Sequence, residues 1–152
     1  MFKYVHHVHY VIRDRDAMVE YFLKNFGMKP SQQCIIEPDA RFPFQAHMAC
    51  AYYDVGHTQI QMTQPLDPNS NMGKRLATQG AGVWHVAWAV DNIQKVHQEL
   101  IAKGNKLRGE DGTPRNISRV EGGAMESSPH GYDVINIDHS CSHGLRIQLA
   151  GT

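Results

Sequence analysis

Gly82–Val90 reads GVWHVAWAV, and the fold follows from its alternation. Aromatic and β-branched residues dominate, so the stretch reads as a strand. Successive side chains on a strand face opposite ways. Trp84, Val86, Trp88 and Val90 share an apolar face, while Val83, His85, Ala87 and Ala89 share the other. The apolar face calls for a cover of helices. His85 then looks away from the helices, beside two small alanines that leave room for a ligand.

Working outward, Asp91 is placed to cap a helix whose buried stripe is Ile93, Val96, His97 and Leu100, closed by Gly104. The same order stands near the start of the chain. Tyr4–Ile12 (YVHHVHYVI) is a strand, Asp14 or Asp16 caps a helix carrying Met18, Tyr21, Phe22 and Asn25, and Gly27 stops it. The ends repeat as well: His57–Met62 (HTQIQM) and Gly144–Leu149 (GLRIQL) are alternating strands. His47–Val55 and Tyr132–Ile137 supply further strands, and Glu110–Pro129 holds loops with one irregular strand. Pro65–Asn71 is a turn-rich linker before a short helix near Met72–Ala77. The expected architecture is α+β, two tandem βαβββ modules in a single domain over 1–152: module 1 over 1–66, a linker helix over 67–80, module 2 over 81–152.

Composition narrows the functional classes. Hydrophobic residues at 41% and charged residues at 20% are ordinary for a globular chain. Lys+Arg and Asp+Glu balance at 15 each, so no nucleic-acid or membrane partner is expected. Cys34, Cys50 and Cys141 show no zinc spacing, and with no targeting segment visible the expected compartment is the cytoplasm. The anomaly is 10 histidines, the residue most used for metals and proton transfer.

Parity gathers some of them on one face. Val5, His7, His9 and Val11 alternate with Tyr4, His6, Val8, Tyr10 and Ile12. In the closing strands Ile60, Met62, Ile147 and Leu149 belong to the helix side. The opposite face collects His7, His9, Gln59, Gln61, His85, Arg146 and Gln148. Clustered polar groups in a cup are costly unless something binds them. Singly, each glutamine reads far better as a solvated side chain on an open sheet than as a ligand. The repetition of His7 with His85 and of Gln61 with Gln148 is what points to a metal.

These residues resemble the vicinal oxygen chelate (glyoxalase/bleomycin resistance/dioxygenase) superfamily, most closely its methylmalonyl-CoA epimerase family. The likeness runs through HHVHYVIRDRDAMVEYFLKNFGMKP, HTQIQMTQPL and NMGKRLATQGAGVWHVAWAVDNIQKVHQELIAKGNKL. It implies a glyoxalase-like curved mixed sheet with a metal-binding cup. It also implies one divalent metal ion per chain (Co, Ni, Zn, Mn or Fe), held by His7, Gln61, His85 and Gln148, and a homodimer. Gln148 stands where the epimerases carry a glutamate that also moves protons, and no carboxylate stands near Phe44 and Gln45, where the second would fall.

Two imidazoles and two amides leave a bound cation its full charge, which suits a substrate bringing its own negative charge. Arg146 and Gln59 are candidates for substrate binding. The proton carriers to consider are His9 and the cluster DHSCSH, with Asp138, His139, Cys141 and His143. Glu121 and Glu126 are weaker candidates. The foremost expectation is a metal-dependent isomerase or epimerase stabilising an enolate of an acyl-CoA or related carbonyl compound. Open beside it stand a metal-dependent lyase on another small substrate and a non-catalytic small-molecule-binding protein of the same fold.

Overall fold

The structure, a computed structural model, describes residues 1–38, 47–121 and 128–151. Its elements run β1 (Phe2–Val11), α1 (Arg15–Phe26), β2 (Gln32–Ile36), β3 (Met48–Val55), β4 (Thr58–Pro65), α2 (Asn71–Gln79), β5 (Gly82–Val90), α3 (Ile93–Ala102), β6 (Leu107–Arg108), β7 (Ser118–Val120), β8 (Tyr132–Ile137) and β9 (Ile147–Gly151). The class is mixed α+β. Residues group into a middle unit, Val8–Trp84, and a terminal unit, Met1–His7 with His85–Thr152.

In the middle unit β3 pairs antiparallel with β2 on one side and β4 on the other. The Asp14 side chain accepts from Ala17 N–H and starts α1; Gly27, at φ +66°, ends it in the left-handed region. Met18, Val19 and Phe22 of that helix cover Ile12, Ala51, Tyr53 and Met62. Ile60 joins the same cluster, so Gln59, Gln61 and Thr63 face the other way, as the alternation of β4 requires.

In the terminal unit the strand order is β5-β9-β8-β6, with β7 on the far part of β8. β5 and β9 are parallel and β8 is antiparallel to β9. Val90, Ile93, Val96, Leu107, Ile135 and Leu149 form the core beneath α3, with Trp88 and Ile147 against it. Each such buried aliphatic side chain contributes about 1.5–3 kcal/mol by leaving water. The register sets Ala87 beside Gln148 and Asn136 beside Gln148. Those side chains occupy the face opposite the core.

Several local expectations shift. α3 is capped by Asn92, whose side chain accepts from Lys95 N–H, while Asp91 pairs with Lys3 at 2.8 Å. The last strand starts at Ile147 because 139–145 is a turn closed by Gly144 N–H to His139 O and Leu145 N–H to Ser142 O. β2 is the strand that the βαβββ pattern calls for between α1 and β3, at a stretch that the sequence reading leaves unassigned. Strict alternation also fails within β1: His6 and His7 are both buried, and their ring centroids lie 5.2 Å apart. Among the described residues no helix is long and apolar enough to cross a membrane.

Candidate functional site

The terminal unit buries a line of imidazoles. His7 Nε2 stands 2.9 Å from His85 Nε2. His7 Nδ1 stands 2.9 Å from His6 Nδ1, and His6 Nε2 is 3.2 Å from Ser128 Oγ. His6, His7 and His85 are 0%, 2% and 9% exposed. Ser128 is seated by the turn in which Gly131 N–H donates to its carbonyl. Gly131 sits at φ +84°, and a Cβ there would run into the Val120 carbonyl oxygen, so only glycine fits.

A neutral imidazole has one N–H and one lone pair. If His7 Nδ1–H donates to His6 and His6 Nε2–H donates to Ser128, the Nε2 of His7 is a lone pair facing the Nε2 of His85. That contact is closed either by an N–H on His85 Nε2, which donates to the lone pair, or by a cation between the two nitrogens. Two nitrogens about 2.0–2.1 Å from one ion and at right angles stand about 2.9 Å apart. The spacing accommodates a divalent metal as well as it does an N–H···N hydrogen bond. Ligating histidines ordinarily hold their other ring nitrogen in a hydrogen bond that sets the tautomer, as His6 does for His7.

Gln148 is 3% exposed. Its Nε2 donates to Glu110 Oε2 at 3.0 Å and to Asn136 Oδ1 at 3.1 Å. Asn136 Nδ2 donates to the same Glu110 oxygen at 3.0 Å. Burial pushes the Glu110 carboxyl up, against the Asn136 hydrogen bond, although one side of the residue remains open to solvent. Glu110 and Asn136 were not legible as site residues in the sequence, though the lone amide within YDVINI was a signal for the second.

The middle unit holds Gln59, Gln61 and His9, and the terminal unit holds the DHSCSH cluster and Arg146. Gln61 Nε2 donates to Gln59 Oε1, and Gln59 Nε2 donates to Asp54 Oδ1, both at 3.0 Å. His9 Nε2 lies 2.7 Å from Thr63 Oγ1. The DHSCSH cluster is a surface turn. Asp138 accepts from Ser140 N–H and from Arg108 at 3.0 Å, and the Ser140 bonds and Arg108 hold its carboxyl below its ordinary value. His139 and His143 are exposed, as is Arg146, whose carbonyl accepts from Val86 N–H. Phe44, Gln45 and Glu126 lie outside the described residues. Among the described residues, no three His, Cys, Asp or Glu side chains gather to hold a metal.

Burial pushes both His6 and His9 down to about 4. An unfolded histidine titrates near ~6.5. Between those values the unfolded chain binds protons that the folded chain refuses, so stability falls as pH falls through that window. Each histidine contributes on the order of 2–3 kcal/mol to this loss. Urea midpoints of metal-free protein are expected to drop steeply from pH 7 to pH 4.5. Midpoints that stay level would show these rings to be protonated in the fold.

Two strand systems, one antiparallel and one mixed, each with a helix on one face and buried His and Gln on the other, define a glyoxalase-like fold. The sequence matches the Glyoxalase/Bleomycin resistance protein/Dioxygenase superfamily over residues 6–118, and the chain belongs to that superfamily. No curated protein matches it. Among solved structures it is similar to methylmalonyl-CoA epimerase from Mycobacterium tuberculosis, at 21% identity and TM-score 0.72, covering 99% of this chain and 88% of that one. A Streptomyces coelicolor methylmalonyl-CoA epimerase variant in complex with 2-nitronate-propionyl-CoA aligns at 18% identity and TM-score 0.71, covering 100% and 96%. A hypothetical protein from Bacillus halodurans C-125 aligns at 17% identity and TM-score 0.71, covering 98% and 94%. At these identities the likeness shows the fold.

Proposed function

We propose that this chain is a divalent-metal-dependent isomerase of the epimerase kind, acting on an acyl-CoA or related carbonyl substrate. The observation that carries the reading is the pair of buried Nε2 atoms, His7 and His85, at 2.9 Å. His7, His85 and Gln148 would hold the ion. Gln61, the fourth donor expected from the sequence, belongs to the other unit. When bound, a divalent ion supplies Lewis-acid stabilisation of a developing oxyanion such as an enolate. With neutral donors the site keeps the cation's charge for an anionic substrate group. His6 and Ser128 fix the His7 ring, which spares reorganisation when the charge develops. The acyl-CoA class is supported by the fold shared with epimerase structures that hold methylmalonyl-CoA or a propionyl-CoA nitronate.

The test is α-hydrogen exchange of acyl-CoA thioesters in D2O, with Co²⁺-loaded protein and with protein stripped by a chelator. Exchange well above background in the loaded sample and its loss on stripping are expected. Stoichiometric Co²⁺ without exchange on any acyl-CoA would overturn the substrate class. A chain that takes up no metal would overturn the reading as a whole.

A further inference from the structure

We infer that Glu110 is a positioning residue that turns the Gln148 amide so that its oxygen is the atom left for a ligand. The inference deepens the metal reading above and rests on it. With Glu110 ionised, the geometry admits one arrangement. A carboxylate accepts and does not donate. Glu110 Oε2 receives two contacts, from Gln148 and from Asn136, so both amides must face it with nitrogen. Asn136, with its nitrogen committed to Glu110, then presents Oδ1 to Gln148. Both amide hydrogens of Gln148 are thereby used, one on each neighbour. The Oε1 atom is what the side chain retains to offer. A flipped Gln148 would set its oxygen against the Glu110 carboxylate and against Asn136 Oδ1 at about 3 Å.

The arrangement is assembled from three separate pieces of chain. Asn136 and Gln148 are register partners on β8 and β9. Glu110 follows β6, and its own N–H is held by Ser118 Oγ at 2.8 Å. The middle unit has a relayed counterpart: Gln61 Nε2 donates to Gln59 Oε1, and Gln59 Nε2 donates to the Asp54 carboxylate. In each unit a glutamine expected from the sequence to ligate has its NH2 tied back toward a carboxylate. Chance solvation of a surface amide would not repeat that. A carboxylate behind an amide also returns negative charge to a site whose direct donors are neutral, without giving up a coordination position. That is how supporting groups generally raise ligand strength.

Two measurements on the full chain test this. The first uses metal-free protein and the side-chain NH2 signals of Gln148 in an NMR spectrum. In wild type these protons are expected to exchange with water at least ~10-fold more slowly than in Glu110→Ala, the general consequence of losing a bonded acceptor. The second is Co²⁺ titration. Glu110→Ala should weaken binding about 10–100-fold, the range for groups that orient ligands. Glu110→Gln, which keeps an oxygen acceptor without the charge, should lose less. On a Gln148→Ala background, Glu110→Ala should cost nothing further, because it acts through Gln148. Equal exchange in wild type and Glu110→Ala would overturn the inference, as would an equal loss of Co²⁺ affinity with and without Gln148. Wild type that takes no Co²⁺ would sink the metal reading alone, and the exchange measurement would still decide the orientation.

Discussion

His7→Ala is expected to weaken Co²⁺ binding by more than about 100-fold, beyond what loss of an orienting group produces, and to destabilise the metal-free fold at the same time. The double effect follows from where the ring stands. It links His6 Nδ1 and His85 Nε2, each at 2.9 Å, and is 2% exposed. Deleting it removes a donor to the ion, opens a buried void and takes a partner from two buried imidazoles. A buried polar group stripped of a partner costs about 1–3 kcal/mol, and the void adds to it. A loss of about 2–4 kcal/mol in urea unfolding is expected. His6→Ala tests the hierarchy: its ring is hydrogen-bonded to His7 and Ser128 and orients His7 rather than holding the ion, so its Co²⁺ loss should stay within about 10–100-fold. Isothermal titration on variants confirmed as folded reads the affinities. Co²⁺ affinity unchanged in His7→Ala would leave the histidine line as a structural hydrogen-bond chain and remove the basis for metal chemistry.

The distribution of what the sequence revealed has a physical cause. Gly82–Val90 was legible because aromatic and β-branched residues alternate along it, and the core beneath α3 takes Trp88 and Val90 from the face that alternation assigns to it. Helix ends were less sharp: Asp91 and Asn92 are both good caps, and only the observed bond from Lys95 N–H separates them. β2 (QQCII) is short and pairs with a single neighbour, β3, so burial imposes little pattern on it. The pairing of His7 with His85 follows from repetition, whereas the contact of His6 with His7 contradicts simple alternation. Glu110 was beyond reach. It lies in a loop with no periodicity, and what brings it to Gln148 is pairing between segments 38 residues apart. Local pattern carries the elements and their faces. Closure of the site depends on contacts that no window of sequence contains.

Leu149→Ala is expected to cost about 2–5 kcal/mol of stability, and the residue next to it explains why that result is informative. Gln148 and Leu149 are neighbours on β9 with opposite duties. Leu149 is fully buried among Val90, Ile93, Val96, Leu107 and Ile135, while Gln148 faces Glu110 and Asn136. Alanine at 149 leaves a cavity that α3 cannot close without moving off Val90 and Ile135, both themselves fully buried. Total stability for a chain of this size is of order 5–15 kcal/mol, so the loss is a large part of it. At roughly 2–4 °C per kcal/mol, Tm should fall by about 5–15 °C. Co²⁺ affinity of the folded fraction, measured near 10 °C, should change less than threefold, because the donors lie on the other face. Gln148→Ala should do the reverse, with a large loss of affinity and a small loss of stability. If Leu149→Ala weakened Co²⁺ as much as Gln148→Ala while barely moving Tm, the two faces of β9 would not be divided between core and ligand, and the assignment of the polar face as the site would fail.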